Sequence, residues 1–206
     1  LQWIAEHREL IAALTGMGTL LIWLIYLQVF ISNYRRQLRA TLLIMRGAGD
    51  GVEARCFICN MSSGPVYVQS VIVTLETPDE AIVHPVTDML DLEGDAPADP
   101  RLRTRQGPLA GGELRDIGSF GNLVRHVLRG NGHGSDHEGL QTAIRSVVIE
   151  ALGIYGSEDL PIGARRRFVL LEKDGAMRIH GEGLQTQQIR TRRERRRLLA
   201  DLERDR

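Results

Sequence analysis

From Ile11 to Ile31 the chain reads IAALTGMGTLLIWLIYLQVFI, twenty-one residues without a charge. As an α-helix such a run is about 31 Å long, the thickness of a bilayer's hydrocarbon core at roughly 30 Å. A buried core helix would have to be apolar on every face for its whole length, which a domain of this size cannot surround. A cleaved signal peptide fits less well, because the run is too long, no basic segment opens it and no small-residue cleavage site closes it. The run therefore predicts a single transmembrane helix over residues 11–34, with residues 1–10 as a short extracytoplasmic flank.

The flanks set the expected orientation. Glu6, His7, Arg8 and Glu9 precede the run, whereas Asn33, Tyr34, Arg35, Arg36 and Arg39 follow it. The excess of arginine on the C-terminal side places that side in the cytoplasm. Of the 26 basic residues only Lys173 is a lysine, the mark of a GC-rich, bacterial coding bias. The expected location is a bacterial inner membrane, with the N-terminus outside and the main domain cytoplasmic. Inside the span, Ala12, Gly16 and Thr19 fall on one face, and Trp23 stands at the next turn of the same stripe. Small residues so spaced let a second helix approach closely, which makes these four the candidate helix-packing residues.

Beyond the span the apolar period shortens from that of a helix to that of a strand. Residues 40–47, 53–61 and 65–75 read as three strands, separated by Gly47-Ala48-Gly49-Asp50-Gly51 and Ser62-Ser63-Gly64-Pro65 turns. In the third, strict alternation puts Val66, Val68, Ser70, Ile72 and Thr74 on one face and Tyr67, Gln69, Val71, Val73 and Leu75 on the other. Both faces are largely apolar, as in a central strand of a packed sheet. Residues 146–154 read as a later strand, and 167–172 as another that turns at Lys173-Asp174-Gly175 into 176–180. The expected fold is a transmembrane α-helix, a mostly β soluble domain over 35–189 (an Ig-like β-sandwich with a loop-and-helix insertion at about 78–140), and a basic C-terminal helix over 190–206. A short helix is expected at 122–128 and a flexible loop at 130–139.

A formal charge of zero hides opposed blocks. Residues 78–100 carry Asp79, Glu80, Asp88, Asp91, Glu93, Asp95 and Asp99 with no Lys or Arg. Residues 190–206 carry Arg190, Arg192, Arg193, Arg195, Arg196, Arg197, Arg204 and Arg206. Arg35, Arg36, Arg192, Arg193, Arg196 and Arg197 are candidates for contact with anionic lipid headgroups or an acidic partner. Nucleic acid is disfavoured, because the tail has no interleaved aromatics and Glu194, Asp201, Glu203 and Asp205 dilute it.

The remaining signals are weak. Cys56 and Cys59 form a C-x-x-C pair within an apparent strand, where residues three apart point to opposite faces and cannot share a metal or close a disulfide without a bulge. His133 and His137 have i, i+4 spacing among glycines, where the spacing fixes no geometry, so they are only an alternative metal site. Gly130, Gly132 and Gly134 precede no predicted helix and make a poor phosphate cradle. No catalytic motif and no cofactor is indicated. The sequence thus points to a non-enzymatic accessory or scaffold subunit of an inner-membrane complex, its partners being the bilayer and other subunits or a second copy. The alternative is a membrane-tethered sensor binding a metal or small anion through the Gly/His loop.

Overall fold

Helix α1, Arg8–Gln37, contains a stretch from Arg8 to Tyr34 long and apolar enough to cross a membrane, with none of it buried. The computed structural model describes residues 7–37, 40–87, 104–131, 143–156, 160–173 and 176–196. The chain divides into two units, Leu1–Arg39 with this helix and Ala40–Arg206 with the β domain. Leu20, Trp23, Tyr26 and Phe30 all stand exposed around α1, so its apolar surface has no single buried face. The hydroxyls of Thr15 and Thr19 donate back to the carbonyls of Ile11 and Thr15, each at 2.8 Å. Both threonine hydroxyls are thereby satisfied within the helix, as a hydrocarbon surrounding would require.

Among the described residues, the second unit holds ten strands, an eleven-residue helix and a short helical segment at 192–196. β1 (Leu42–Arg46), β2 (Arg55–Asn60) and β6 (Leu114–Ser119) form a three-stranded sheet in the order β1-β2-β6. β3 (Val66–Glu76), β4 (Ala81–Pro85), β5 (Gly107–Leu109), β7 (Ser146–Tyr155), β8 (Ile162–Lys173), β9 (Ala176–Gly181) and β10 (Gln187–Ile189) form the other. Its path is β10-β8-β7-β3-β4, with β5 pairing β3 and β9 pairing β8. Every pairing is antiparallel. The strands at its centre, VYVQSVIVTLE and SVVIEALGIY, are rich in β-branched residues that pack well on a pleated surface.

Helix α2, Phe120–Gly130, starts at Ser119, whose side chain accepts from the Asn122 N–H at 3.2 Å. Phe120, Leu123, Val124, Val127 and Leu128 follow at helical spacing and are all buried. Together with Leu42, Ile44 and Ile58 from the small sheet and Val66, Val71, Ile149 and Phe168 from the large one, they make one core. Phe120 and Phe168 meet edge to face with centroids 4.8 Å apart. Burying each such large side chain contributes about 1.5–3 kcal/mol.

Strict alternation fails in β3. The register against β7 shifts between Val68 and Ser70, so Val66 and Val68 share the core face with Val71, Val73 and Leu75. This β-bulge turns Ile72 outward instead, where it joins Leu152 and Ile189 in a second small apolar cluster. Beside the bulge, Gly153 lies so close to the Tyr67 backbone that a Cβ would meet its carbonyl oxygen at 2.8 Å. The region expected as a loop-and-helix insertion also differs: β4, β5 and β6 belong to the two sheets. They are short, and Pro85, Pro108 and Gly118 break their alternation. The acidic stretch 88–99 lies outside the described residues.

The sheets are tied at both margins. On one side the buried Arg105 donates to the Ile117 and Val86 carbonyls at 2.7 and 2.8 Å. On the other, Ile179 N–H donates to Asp50 O at 2.6 Å and Arg178 pairs with Asp50 at 2.5 Å. The fully buried Asn60 fixes the turn into β3, its amide donating to the carbonyls of Gly64 and Leu109.

Candidate functional site

On the face of the large sheet turned away from the small one, cross-strand register assembles a charged surface. Ile72, Glu150, Arg165 and Gln187 stand in one row across β3, β7, β8 and β10. Thr74, Val148 and Arg167 stand in the next. Arg165 Nε donates to Glu150 Oε1 at 2.7 Å, and its Nη2 reaches the same oxygen at 2.5 Å. Arg167 lies between two acids, Glu76 at 2.5 Å and Glu182 at 3.3 Å, and donates through Nε to the Ser146 hydroxyl at 3.1 Å.

All of these but Ile72 and Ser146 line an open cleft of about 460 Å³. Glu150 is buried, while Arg165 is about half exposed, so the carboxylate relies on its partner and the guanidinium keeps part of its hydration. The more exposed pairs, those of Arg167 with Glu76 and Glu182, are worth about 0.2–1 kcal/mol each. Each carboxylate that lines the cleft, Glu76, Glu150 and Glu182, is ion-paired with Arg165 or Arg167.

The C-terminal arginines divide by environment. Thr191 and Glu194 form a capping box: Glu194 N–H donates to the Thr191 hydroxyl at 3.3 Å, and that hydroxyl donates to the Glu194 carboxylate at 2.5 Å. The Thr191 hydroxyl is the main reason that the Glu194 carboxyl is held below its ordinary pKa. Residues 192–196 are helical, with Arg192, Arg193 and Arg196 exposed. Arg195 is buried and donates to the carbonyls of Ile189 and Leu160 at 3.4 and 3.5 Å. Arg197 lies outside the described residues. So do His133 and His137. Arg35 and Arg36 continue α1 in its last turn.

Of the helix-packing candidates, Gly16 has nothing near it that an added Cβ would touch, and Trp23 is 69% exposed. Cys56 and Cys59 are both free and buried. Cys56 sits in the core beside Ile58, whereas Cys59 points the other way, its Sγ 3.7 Å from the Met61 sulfur. Burial, reinforced by Asp116, pushes the Cys56 thiol far above its ordinary pKa, against an opposing pull from Arg166. Such a thiol is chemically inert.

The charged cleft escaped the sequence reading, because its residues are scattered from Glu76 to Gln187 and meet only through strand register. The one local trace is Glu150 within the apolar run SVVIEALGIY. A histidine contact was also missed: the rings of His84 on β4 and His126 on α2 lie 5.7 Å apart. No protein-family model, curated protein or solved structure matches the chain.

Proposed function

We propose that this chain is a non-enzymatic accessory or scaffold subunit of a bacterial inner-membrane complex. Helix α1 crosses the bilayer once with its N-terminus outside, and the β domain, an Ig-like sandwich, faces the cytoplasm. The observation that carries this reading is α1 itself: it is apolar on all sides, its threonine hydroxyls are satisfied internally, and none of it is buried. In water such a surface would be strongly unfavourable, whereas lipid accepts it without cost.

Ala12, Gly16, Thr19 and Trp23 supply the stripe on which a second helix, from another subunit or another copy, packs. The Thr19 hydroxyl turns onto its own backbone and so presents no unsatisfied donor on that stripe. Arg35 and Arg36, together with the exposed Arg192, Arg193 and Arg196, are the groups suited to anionic headgroups or an acidic partner. The paired charges of the large sheet offer a recognition surface to that partner.

Purification of the full chain from its native membrane in mild detergent tests the reading. A membrane protein recovered in fixed ratio, or a homo-oligomer, is the expected result. A chain that extracts at alkaline pH without detergent, as a monomer, would contradict it.

A further inference from the structure

The corner where β1 meets β8 carries two arginines that pair with no acid among the described residues. Arg46 ends β1 on the core face that it shares with Leu42 and Ile44 by strand alternation. Arg166 leaves β8 on the core face that it shares with Phe168, whose ring centroid lies 5.3 Å from its Cζ. Arg166 Nη1 donates to the Ile44 carbonyl at 2.7 Å. That bond brings the guanidinium within two residues of Arg46, about 7 Å along the strand.

Two donors remain unused. Among the described residues, the buried side-chain nitrogens without a hydrogen-bond partner are Arg46 Nη1 and Arg166 Nε. None of the described ion pairs includes either residue, and the carboxylates at this end are already taken, Asp50 by Arg178 and Asp116 by Arg55. A buried N–H that has lost water without gaining an acceptor is destabilising, and two arginines on this end of the core add positive charge that no described acid offsets. One anion between them would remove both penalties.

We propose that this corner is an oxyanion site, with Arg46 and Arg166 as its guanidinium ligands and a tetrahedral phosphate group as its occupant. A carboxylate fills a single guanidinium fork. A phosphate dianion matches two positive charges and has oxygens enough for the N–H groups of both arginines. The same chemistry is presented by free phosphate and by the headgroup of a phosphatidic-acid-type lipid. The site is separate from the exposed arginines of the C-terminal segment.

The test is thermal unfolding of the full chain in neutral detergent micelles, titrated with inorganic phosphate at constant ionic strength balanced by chloride. A second titration uses micelles doped with phosphatidic acid. A saturable rise in Tm is expected, with affinity falling by about tenfold or more in Arg46→Gln, as loss of a charge-assisted pair requires. Arg125→Gln, at an exposed arginine of α2, should bind as wild type does. Arg166→Gln should behave like Arg46→Gln, but it also loses the bond to Ile44. Arg46→Gln therefore carries the test, since among the described residues no hydrogen bond or ion pair is made by the Arg46 side chain. Saturation by inorganic phosphate assigns a free anion. Saturation by the lipid alone, with the same loss in Arg46→Gln, assigns a headgroup. No saturable shift from either, or equal shifts in wild type and Arg46→Gln, overturns the site.

Discussion

Gln188 grips Leu42 with both ends of its amide. Its Nε2 donates to the Leu42 carbonyl at 2.6 Å while its Oε1 accepts from the Leu42 N–H at 3.1 Å. Two residues along, the Thr186 hydroxyl does the same for Ile44, accepting from its N–H at 3.0 Å and donating to its carbonyl at 3.1 Å. β1 is the edge of the small sheet, and an unpaired edge is a template for unwanted strand addition. Two side chains from the far end of the sequence stand in for the missing strand.

Removing that grip should be felt. Gln188→Ala leaves both Leu42 groups without protein partners and should cost about 1–3 kcal/mol, with Thr186→Val similar because it strands the buried Ile44 N–H. Denaturant melts of the detergent-solubilised chain measure the loss, and light scattering should show more self-association. Wild-type stability in both variants would mean that the edge needs no cover.

The arginines of residues 192–196 should separate cleanly. Arg195→Ala removes a buried side chain and should destabilise by about 1–3 kcal/mol. Reversing Arg192, Arg193 and Arg196 to Glu should leave the melt nearly unchanged. In nanodiscs it should abolish the extra amide protection of residues 190–196 that anionic lipid confers over neutral lipid. High salt should erase the same protection, since exposed charges are screened beyond about 8 Å at physiological ionic strength. Equal hydrogen exchange in both lipids would remove the headgroup contact from the account.

Cys56 gives a pH dependence of known sign. Its thiol pKa is raised in the folded chain, chiefly by burial, so the folded state keeps a proton that the unfolded chain releases above about pH 8.5. Its contribution is present in full below that pH and is lost as the pH rises further. Melts between neutral and alkaline pH should fall less steeply in Cys56→Ala than in wild type, and an aromatic disulfide reagent should find no fast thiol at pH 8. Parallel slopes would show that Cys56 is not the group responsible.

How much of this was legible depends on how local each signal was. The apolar helix was plain, because twenty-one uncharged residues need no partner to be recognised. β3 and β7 were nearly as plain, being long and β-branched. The start of β8 was hidden by Arg165-Arg166-Arg167, charges that the strand tolerates because Arg165 and Arg167 pair with acids and Arg166 stacks on Phe168. The bulge after Val68 could not be read from alternation, since Ser70 and Val71 suit either face. The cleft, the Gln188 grip and the Arg46–Arg166 corner all join residues whose proximity exists only once the strands have paired.

The central claim is that α1 holds the chain in the membrane and also packs against a partner helix. Gly16→Leu separates the two roles. It keeps the helix apolar, and its Cβ meets no atom of the chain itself, so insertion should survive. Close helix approach should not. Blue-native electrophoresis of detergent extracts from membranes carrying wild type or Gly16→Leu is the most direct measurement. The account predicts equal membrane insertion and a variant complex that is smaller or much reduced in yield. An inserted variant whose complex is unchanged in size and amount would show that α1 is an anchor and nothing more.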